Sequence, residues 1–265
     1  MDNHMQTIFN RLWKDYITIA PSAETIRGLF ESEGEKVRDD HIAFRTYNDS
    51  NVGLDILAQP FREMGYEQKG KYNFEEKKLF AKHFEHPDFP DAPKIFISEL
   101  LLEEFSSELQ RKVRQIINNT PDDNINDDHL IFAGRVWGKV KHENYQRLRQ
   151  ESEYAAWVYA FGYVPNHFAV FVNDLKKYDS VEKVNAFLEQ NGYELNTSGG
   201  TIKGTPEQLL EQSSTLAEKI KVKFREGMYE IPSCYYEFTR RYPNTAGELY
   251  QGFIASSADK IFEST

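Results

Sequence analysis

HIAFRT at residues 41–46 returns in altered letters as HFAVFV at residues 167–172, and these two stretches decide how the chain is read. Each opens on a histidine, carries alanine two positions later and stays largely apolar for six residues, as a short buried strand does. Side chains alternate between faces along a strand. His41, Ala43 and Arg45 therefore share one side of the first strand, and His167, Ala169 and Phe171 share one side of the second. Alanine beside each imidazole leaves open volume where a core strand would more often carry Leu, Ile or Val.

Working outward from residues 41–46, residues 53–64 read as a helix stopped by Gly65. Strand candidates follow at residues 66–68, 77–85 and 94–101, separated by Gly, Asn and a turn containing Pro87, Pro90 and Pro93. After residues 167–172 the pattern repeats: a helix over about 180–190 ends at Asn191-Gly192, a loop contains Gly199 and Gly200, and further strands end with residues 233–240. Residues 5–36 read as helical, with a fresh helix starting at Pro21, and the tail over 246–262 reads as partly helical. The pattern predicts an α+β fold in a single domain, 1–265. Two strand–helix–three-strand units (41–101 and 167–241) would form a curved, partly barrel-like mixed sheet around a metal site. A charged helical insert (103–160) joins them, and helices flank them. In this alignment residues 97–100 face residues 235–238, setting Glu99 opposite Glu237.

The composition suits a packed enzyme-sized domain. Of 265 residues, 40% are hydrophobic and 14% aromatic, with 19 Phe and 15 Tyr. That is enough for a substantial core despite a mean hydropathy of −0.66. A formal charge of −10 disfavours a nucleic-acid partner, which needs a basic surface. The single cysteine, Cys234, excludes an intramolecular disulfide and any multi-cysteine metal site. Residues 1–4 show no basic and apolar leader pattern, and no apolar run approaches the ~18 residues of a membrane span. A cytoplasmic protein without membrane contact is the expectation.

Glu237 lies in a third strand-like stretch, CYYEFT at 234–239. A carboxylate among aromatic residues is costly to bury unpaired, so a metal or an arginine partner is expected. His41, His167 and Glu237 together make two imidazoles and one carboxylate, a set that suits non-haem Fe(II) with open positions for other ligands. Imidazole and carboxylate also accept Zn2+, Mn2+ or Ni2+. Arg45 lies roughly 13 Å along the strand from His41 at ~3.3 Å per residue, and its fork can lean back to hold a substrate carboxylate. Glu99 is a candidate carboxylate behind the ligands. His83 and Glu85 share a strand face, but Pro87 suggests a sheet edge, so His83 and His86 read as surface residues. His129 follows an acidic loop without calcium-ligand spacing. The glycine loop at 198–201 lacks the Lys-Ser/Thr ending of a phosphate loop and reads as a turn. Cys234 is out of phase with Glu237 and reads as core.

The stretches HIAFRT (41–46), KIFISEL (94–100), NHFAVFV (166–172), YYEF (235–238) and ADKIFEST (258–265) resemble the 2-oxoadipate dioxygenase/decarboxylase family. That family is similar in fold to the vicinal oxygen chelate metalloenzymes. The resemblance spans nearly the whole chain. It implies a mononuclear Fe(II) held by His41, His167 and Glu237, with Arg45 gripping the carboxylate of a 2-oxo acid. The implied reaction uses O2 to convert 2-oxoadipate into 2-hydroxyglutarate and CO2. The chain is shorter than the bacterial members, which carry extra sequence around the core. The competing readings are a metal-dependent isomerase, hydrolase or lyase on the same scaffold, and a non-catalytic small-molecule binder.

Overall fold

The computed structural model describes residues 1, 3–120 and 130–255. Two helices open the chain, α1 (Asn3–Ile17) and α2 (Pro21–Ser32). α1 buries Met5, Phe9, Leu12 and Tyr16, a spacing that lines one helical stripe. α2 starts on Pro21, where the missing N–H costs nothing, and buries Ala23, Ile26 and Phe30.

The strands are β1 (Asp39–Tyr47), β2 (Glu67–Phe74), β3 (Leu79–Glu85), β4 (Lys94–Leu100), β5 (Pro165–Phe171), β6 (Lys203–Thr205), β7 (Leu210–Ser214), β8 (Lys219–Lys223), β9 (Met228–Pro232) and β10 (Glu237–Arg241). Eight form one mixed sheet in the order β2-β3-β4-β1-β5-β10-β7-β6, while β8 and β9 make a separate hairpin. β1 and β5 pair antiparallel at the centre. β4 lies parallel to β1, and β10 parallel to β5. Counted outward from the centre, the first half runs β1-β4-β3-β2 and the second β5-β10-β7-β6. The two halves thus have the same connectivity, apart from the β8–β9 hairpin inserted before β10. The whole is a mixed α+β fold.

Between these strands lie α3 (Leu54–Leu57), α4 (Gln59–Glu63), α5 (Ser107–Ile117), α6 (His142–Glu151), α7 (Glu153–Phe161) and α8 (Val181–Gln190). The helix expected over 53–64 is two short pieces, because Pro60 has no N–H to offer the carbonyl of Ile56. Gly65, at φ +97°, ends the second as expected. The strand expected from residue 233 begins only at Glu237. The Tyr236 N–H bonds the Thr215 hydroxyl (3.0 Å) instead of a strand carbonyl, which delays the ladder with β7. Of the tail expected to be partly helical over 246–262, residues 246–254 are turn and irregular chain, and residues from 256 on, with the ADKIFEST stretch, lie outside the described residues.

One face of the central strands packs on helices. Phe168 meets Trp13 and Tyr16 with ring centroids 5.1 Å away, and Phe44 meets Phe61 at 5.5 Å. The other face carries His41, Ala43 and Arg45. Among the described residues no helix is long and apolar enough to cross a membrane.

Candidate metal centre

Register across three strands assembles the site. In the β1–β5 pair His41 stands opposite Ala169, and Ala43 opposite His167. In the β5–β10 pair Ala169 stands opposite Glu237. His41, Ala169 and Glu237 therefore form one row across the sheet, with a methyl group in the middle, and His167 rises from the adjoining row. His41 Nε2 is 3.3 Å from His167 Nε2 and 3.5 Å from Glu237 Oε1, and His167 Nε2 is 3.3 Å from Glu237 Oε2. All three residues are buried, at 2%, 4% and 1% exposure.

The outward nitrogens determine what the inward ones offer. His41 Nδ1 meets Asp40 Oδ2 at 2.9 Å, and His167 Nδ1 meets Asn166 Oδ1 at 2.9 Å. Each partner oxygen accepts a hydrogen bond, so each neutral imidazole carries its proton on Nδ1 and directs an Nε2 lone pair inward. Two lone pairs and a carboxylate then converge on one point, an arrangement that repels itself unless a cation lies between. Burial pushes the pKa of His167 well below its usual value, reinforced by His41 and Arg45. Burial likewise raises that of Glu237, against the pull of His41. Burial thus disfavours the charged form of both groups, His167 as a cation and Glu237 as an anion, and a cation between the donors would offset the cost at Glu237. A divalent ion held by His41, His167 and Glu237 fits this donor set.

Behind the donors lies a network that holds them in place. Glu237 Oε1 accepts from Gln212 Nε2 (2.5 Å) and Thr239 Oγ1 (2.9 Å). Asp40 receives a two-pronged contact from Arg241, Nε to Oδ1 at 2.7 Å and Nη2 to Oδ2 at 2.8 Å. Burial alone would raise the Asp40 pKa, but Arg241 and the bonded His41 hold it far below the ordinary carboxylate range. Arg241 Nη1 also donates to the carbonyls of Tyr250 (3.0 Å) and Gly252 (2.8 Å). This anchors the stretch that brings Phe253 edge-on to His41, at 4.9 Å between centroids.

Arg45 is buried on the site face. Its guanidinium lies over the rings of Tyr154 (5.1 Å) and Trp157 (5.3 Å) and acts on Tyr235, which stacks on His167 at 4.8 Å. Arg45 also lines a cavity of about 270 Å³ together with Leu79, Phe105 and Tyr154.

The other candidates fall elsewhere. Glu99 pairs with Thr46, on the sheet face away from the imidazoles. Its Oε2 accepts the Leu54 N–H at the start of α3 (2.9 Å), so it does not stand behind the ligands. The residue in the place of Glu237 in the first half is Phe96, which pairs with Ala43 as Glu237 pairs with Ala169. His83 and His86 are not surface residues. They are 3% and 8% exposed, because β3 lies between β2 and β4 and is no sheet edge. His83 bonds Glu85 (2.8 Å) and Tyr72 (2.8 Å), and His86 Nε2 meets the Met64 carbonyl (2.8 Å). Cys234 is fully buried, and burial pushes its thiol up to about 12. Residues 199 and 200 form a turn, both at positive φ. His129 lies outside the described residues.

Sequence reasoning missed Asp40, Asn166, Gln212 and Arg241. Two of these carried a signal: an Asx residue immediately precedes each histidine, at matching places in the two halves. Arg241 stands four residues after Glu237, an even spacing that puts both on one strand face.

A profile of the 2-oxoadipate dioxygenase/decarboxylase family matches residues 20–247. The 2-oxoadipate dioxygenase/decarboxylase of Oryza sativa subsp. japonica, designated chloroplastic/amyloplastic, is 35% identical over all of this chain and 79% of its own length. The crystal structure of the hydroxyglutarate synthase from Oryza sativa in complex with 2-oxoadipate is similar at a TM-score of 0.91 and 34% identity, covering 100% of this chain and 94% of that one. A putative hydrolase from Shewanella frigidimarina NCIMB 400 is similar at a TM-score of 0.90 and 51% identity, covering 96% of this chain and 99% of that one.

Proposed function

The chain belongs to the 2-oxoadipate dioxygenase/decarboxylase family, and from that membership we propose that it is an Fe(II)-dependent dioxygenase that decarboxylates and hydroxylates a 2-oxo acid. The substrate on this reading is 2-oxoadipate: with one O2 it gives 2-hydroxyglutarate and CO2, and all atoms balance. The observation that carries the reading is the inward convergence of His41, His167 and Glu237 around the methyl of Ala169. Bound Fe(II) would supply chelation of the 2-oxo acid and activation of O2.

The protein groups have separate tasks. Asp40 and Asn166 hold the imidazoles with Nε2 inward, and Gln212 and Thr239 keep the Glu237 carboxylate from rotating. Arg45 offers a guanidinium to the substrate carboxylate, which it matches in a two-pronged contact. Phe253 and Tyr235 flank the imidazoles and keep water from the reacting carbons. The unbroken eight-stranded sheet supports reading residues 1–265 as one domain.

The test is an anaerobic panel of 2-oxo acids with Fe(II), followed by oxygen addition and mass analysis of product. Oxygen uptake and CO2 release with 2-oxoadipate are expected, both lost in His41→Ala and His167→Ala along with iron binding. Arg45→Ala is expected to retain iron and lose mainly substrate affinity or turnover. The hydrolase designation of the Shewanella relative makes oxygen-independent turnover the competing outcome; full activity under argon would reject the dioxygenase.

A further inference from the structure

A second cavity, of about 230 Å³, lies among α5, the stretch before α6, α7 and the turn of the β8–β9 hairpin. It shares no lining residue with the metal centre or with the cavity beside Arg45. Its wall carries Lys112, Lys139, Lys141 and Arg225, and no acidic residue among those described. That runs against the composition of the chain, in which 42 acidic residues outnumber 32 basic ones. None of the four cations forms a direct ion pair among the described residues. Lys112 Nζ donates to the Asn144 side-chain oxygen (3.0 Å), and Arg225 Nε to the Lys139 carbonyl (2.8 Å). Lys141 acts on Glu226, whose carboxylate takes the His142 N–H (3.0 Å). Like charges gathered on one wall repel one another, and an anion among them removes that cost.

A buried hydroxyl adds an unused donor. Tyr159 lines the cavity and is 4% exposed. Because a lysine only donates, the bond from Lys112 fixes Asn144 with its oxygen toward Nζ and its NH2 toward Tyr159. The Tyr159 oxygen accordingly accepts twice, from Asn144 Nδ2 (3.3 Å) and from the Lys141 N–H (3.1 Å). That leaves its own O–H to donate, and no acceptor for it lies among the described residues. We propose that this cavity binds a compact phosphoryl anion, held by Lys112, Lys139, Lys141 and Arg225 and by the Tyr159 O–H. The cations come from three separate segments and approach from different sides, which suits a tetrahedral phosphate better than a planar carboxylate. The volume lies below the roughly 300–1,000 Å³ of a drug-sized ligand's pocket, so the occupant is small. No step of the proposed reaction uses this cavity, and the proposal does not depend on the dioxygenase reading.

The experiment is titration calorimetry on the full-length chain, dialysed free of metal so that no anion is chelated at His41, His167 and Glu237. Pyrophosphate, inorganic phosphate and succinate are the probes, with melting curves as the folding control. One pyrophosphate per chain is expected, with a Kd below about 1 mM. Inorganic phosphate should compete for the same site, and succinate should bind more weakly than either. Lys112→Met and Arg225→Met should each raise the Kd for pyrophosphate roughly tenfold or more, the loss of one hydrogen bond to a charged group. Tyr159→Phe, which removes only the O–H, should raise it as well. Lys71→Met, at an exposed lysine of β2 outside the cavity, should leave it unchanged. The proposal is overturned by the absence of saturable binding, by several pyrophosphates per chain, or by succinate bound as tightly. Equal affinity in Lys112→Met, Arg225→Met and the parent, or displacement of pyrophosphate by 2-oxoadipate, would overturn it too.

Discussion

Replacing Asp40 with alanine should separate what holds the protein together from what holds the metal. The Asp40 carboxylate takes two charge-assisted hydrogen bonds from Arg241, whose side chain is fully buried, and one from His41. Removing one member of a buried ion pair typically costs about 3–5 kcal/mol, because the other charge is left uncompensated. Arg241 keeps its bonds to the carbonyls of Tyr250 and Gly252, which argues for the lower end, about 3 kcal/mol. For a domain of this size each 1 kcal/mol moves the melting point by roughly 2–4 °C, so a fall of about 6–12 °C is expected by circular dichroism. Iron affinity should also fall, by about 10–100-fold, since His41 loses the acceptor that fixes its ring. The double variant Asp40→Ala/Arg241→Met removes the stranded charge along with its partner. It should recover most of the melting point and none of the iron affinity. A single variant melting within about 2 °C of the parent, less than 1 kcal/mol, would refute the stability argument. A double variant with full iron affinity would refute the orienting role of Asp40.

Ala169→Val should push methyl groups into the gap between His41 and Glu237, lowering iron affinity at least tenfold with little loss of the fold, as read by metal titration beside a melting curve. Gly162 has φ +79°, and a Cβ there would sit 2.1 Å from the Gly134 carbonyl oxygen. Gly162→Ala should therefore cost roughly 3 kcal/mol or more in urea unfolding. Gly28, exposed inside α2 with open space around it, is the contrast: Gly28→Ala should stabilise by about 0.5–1 kcal/mol. Glu99→Gln should cost less than about 1 kcal/mol, since an oxygen remains for the Leu54 N–H, and should leave iron binding unchanged. A change in iron affinity there would return Glu99 to the site.

Local pattern made part of the site legible. The period-2 alternation that places His41, Ala43 and Arg45 on one face is a property of any strand, as is the matching placement of His167 and Ala169. The Asx residue before each histidine was equally visible, but nothing local says that it will bond Nδ1. The two acidic candidates show where reading along the chain stops. Glu99 and Glu237 sit in similar strand-like surroundings, and sequence alone sets them opposite each other. The parallel pairings decide otherwise, turning Glu99 to the helix side with Thr46 and bringing Glu237 beside Ala169. His83 was misjudged for a related reason: Pro87 suggested an edge, whereas β2 covers β3.

Which residues are fit to bind a metal, and which strand faces they occupy, can be read along the chain, because side-chain chemistry and backbone alternation are local. Which of them meet depends on the folded sheet. Strand register, and contacts such as Arg241 with Asp40 across 201 positions, are set by the packing of the whole sheet, and a shift of one residue would turn every side chain of a strand to its other face.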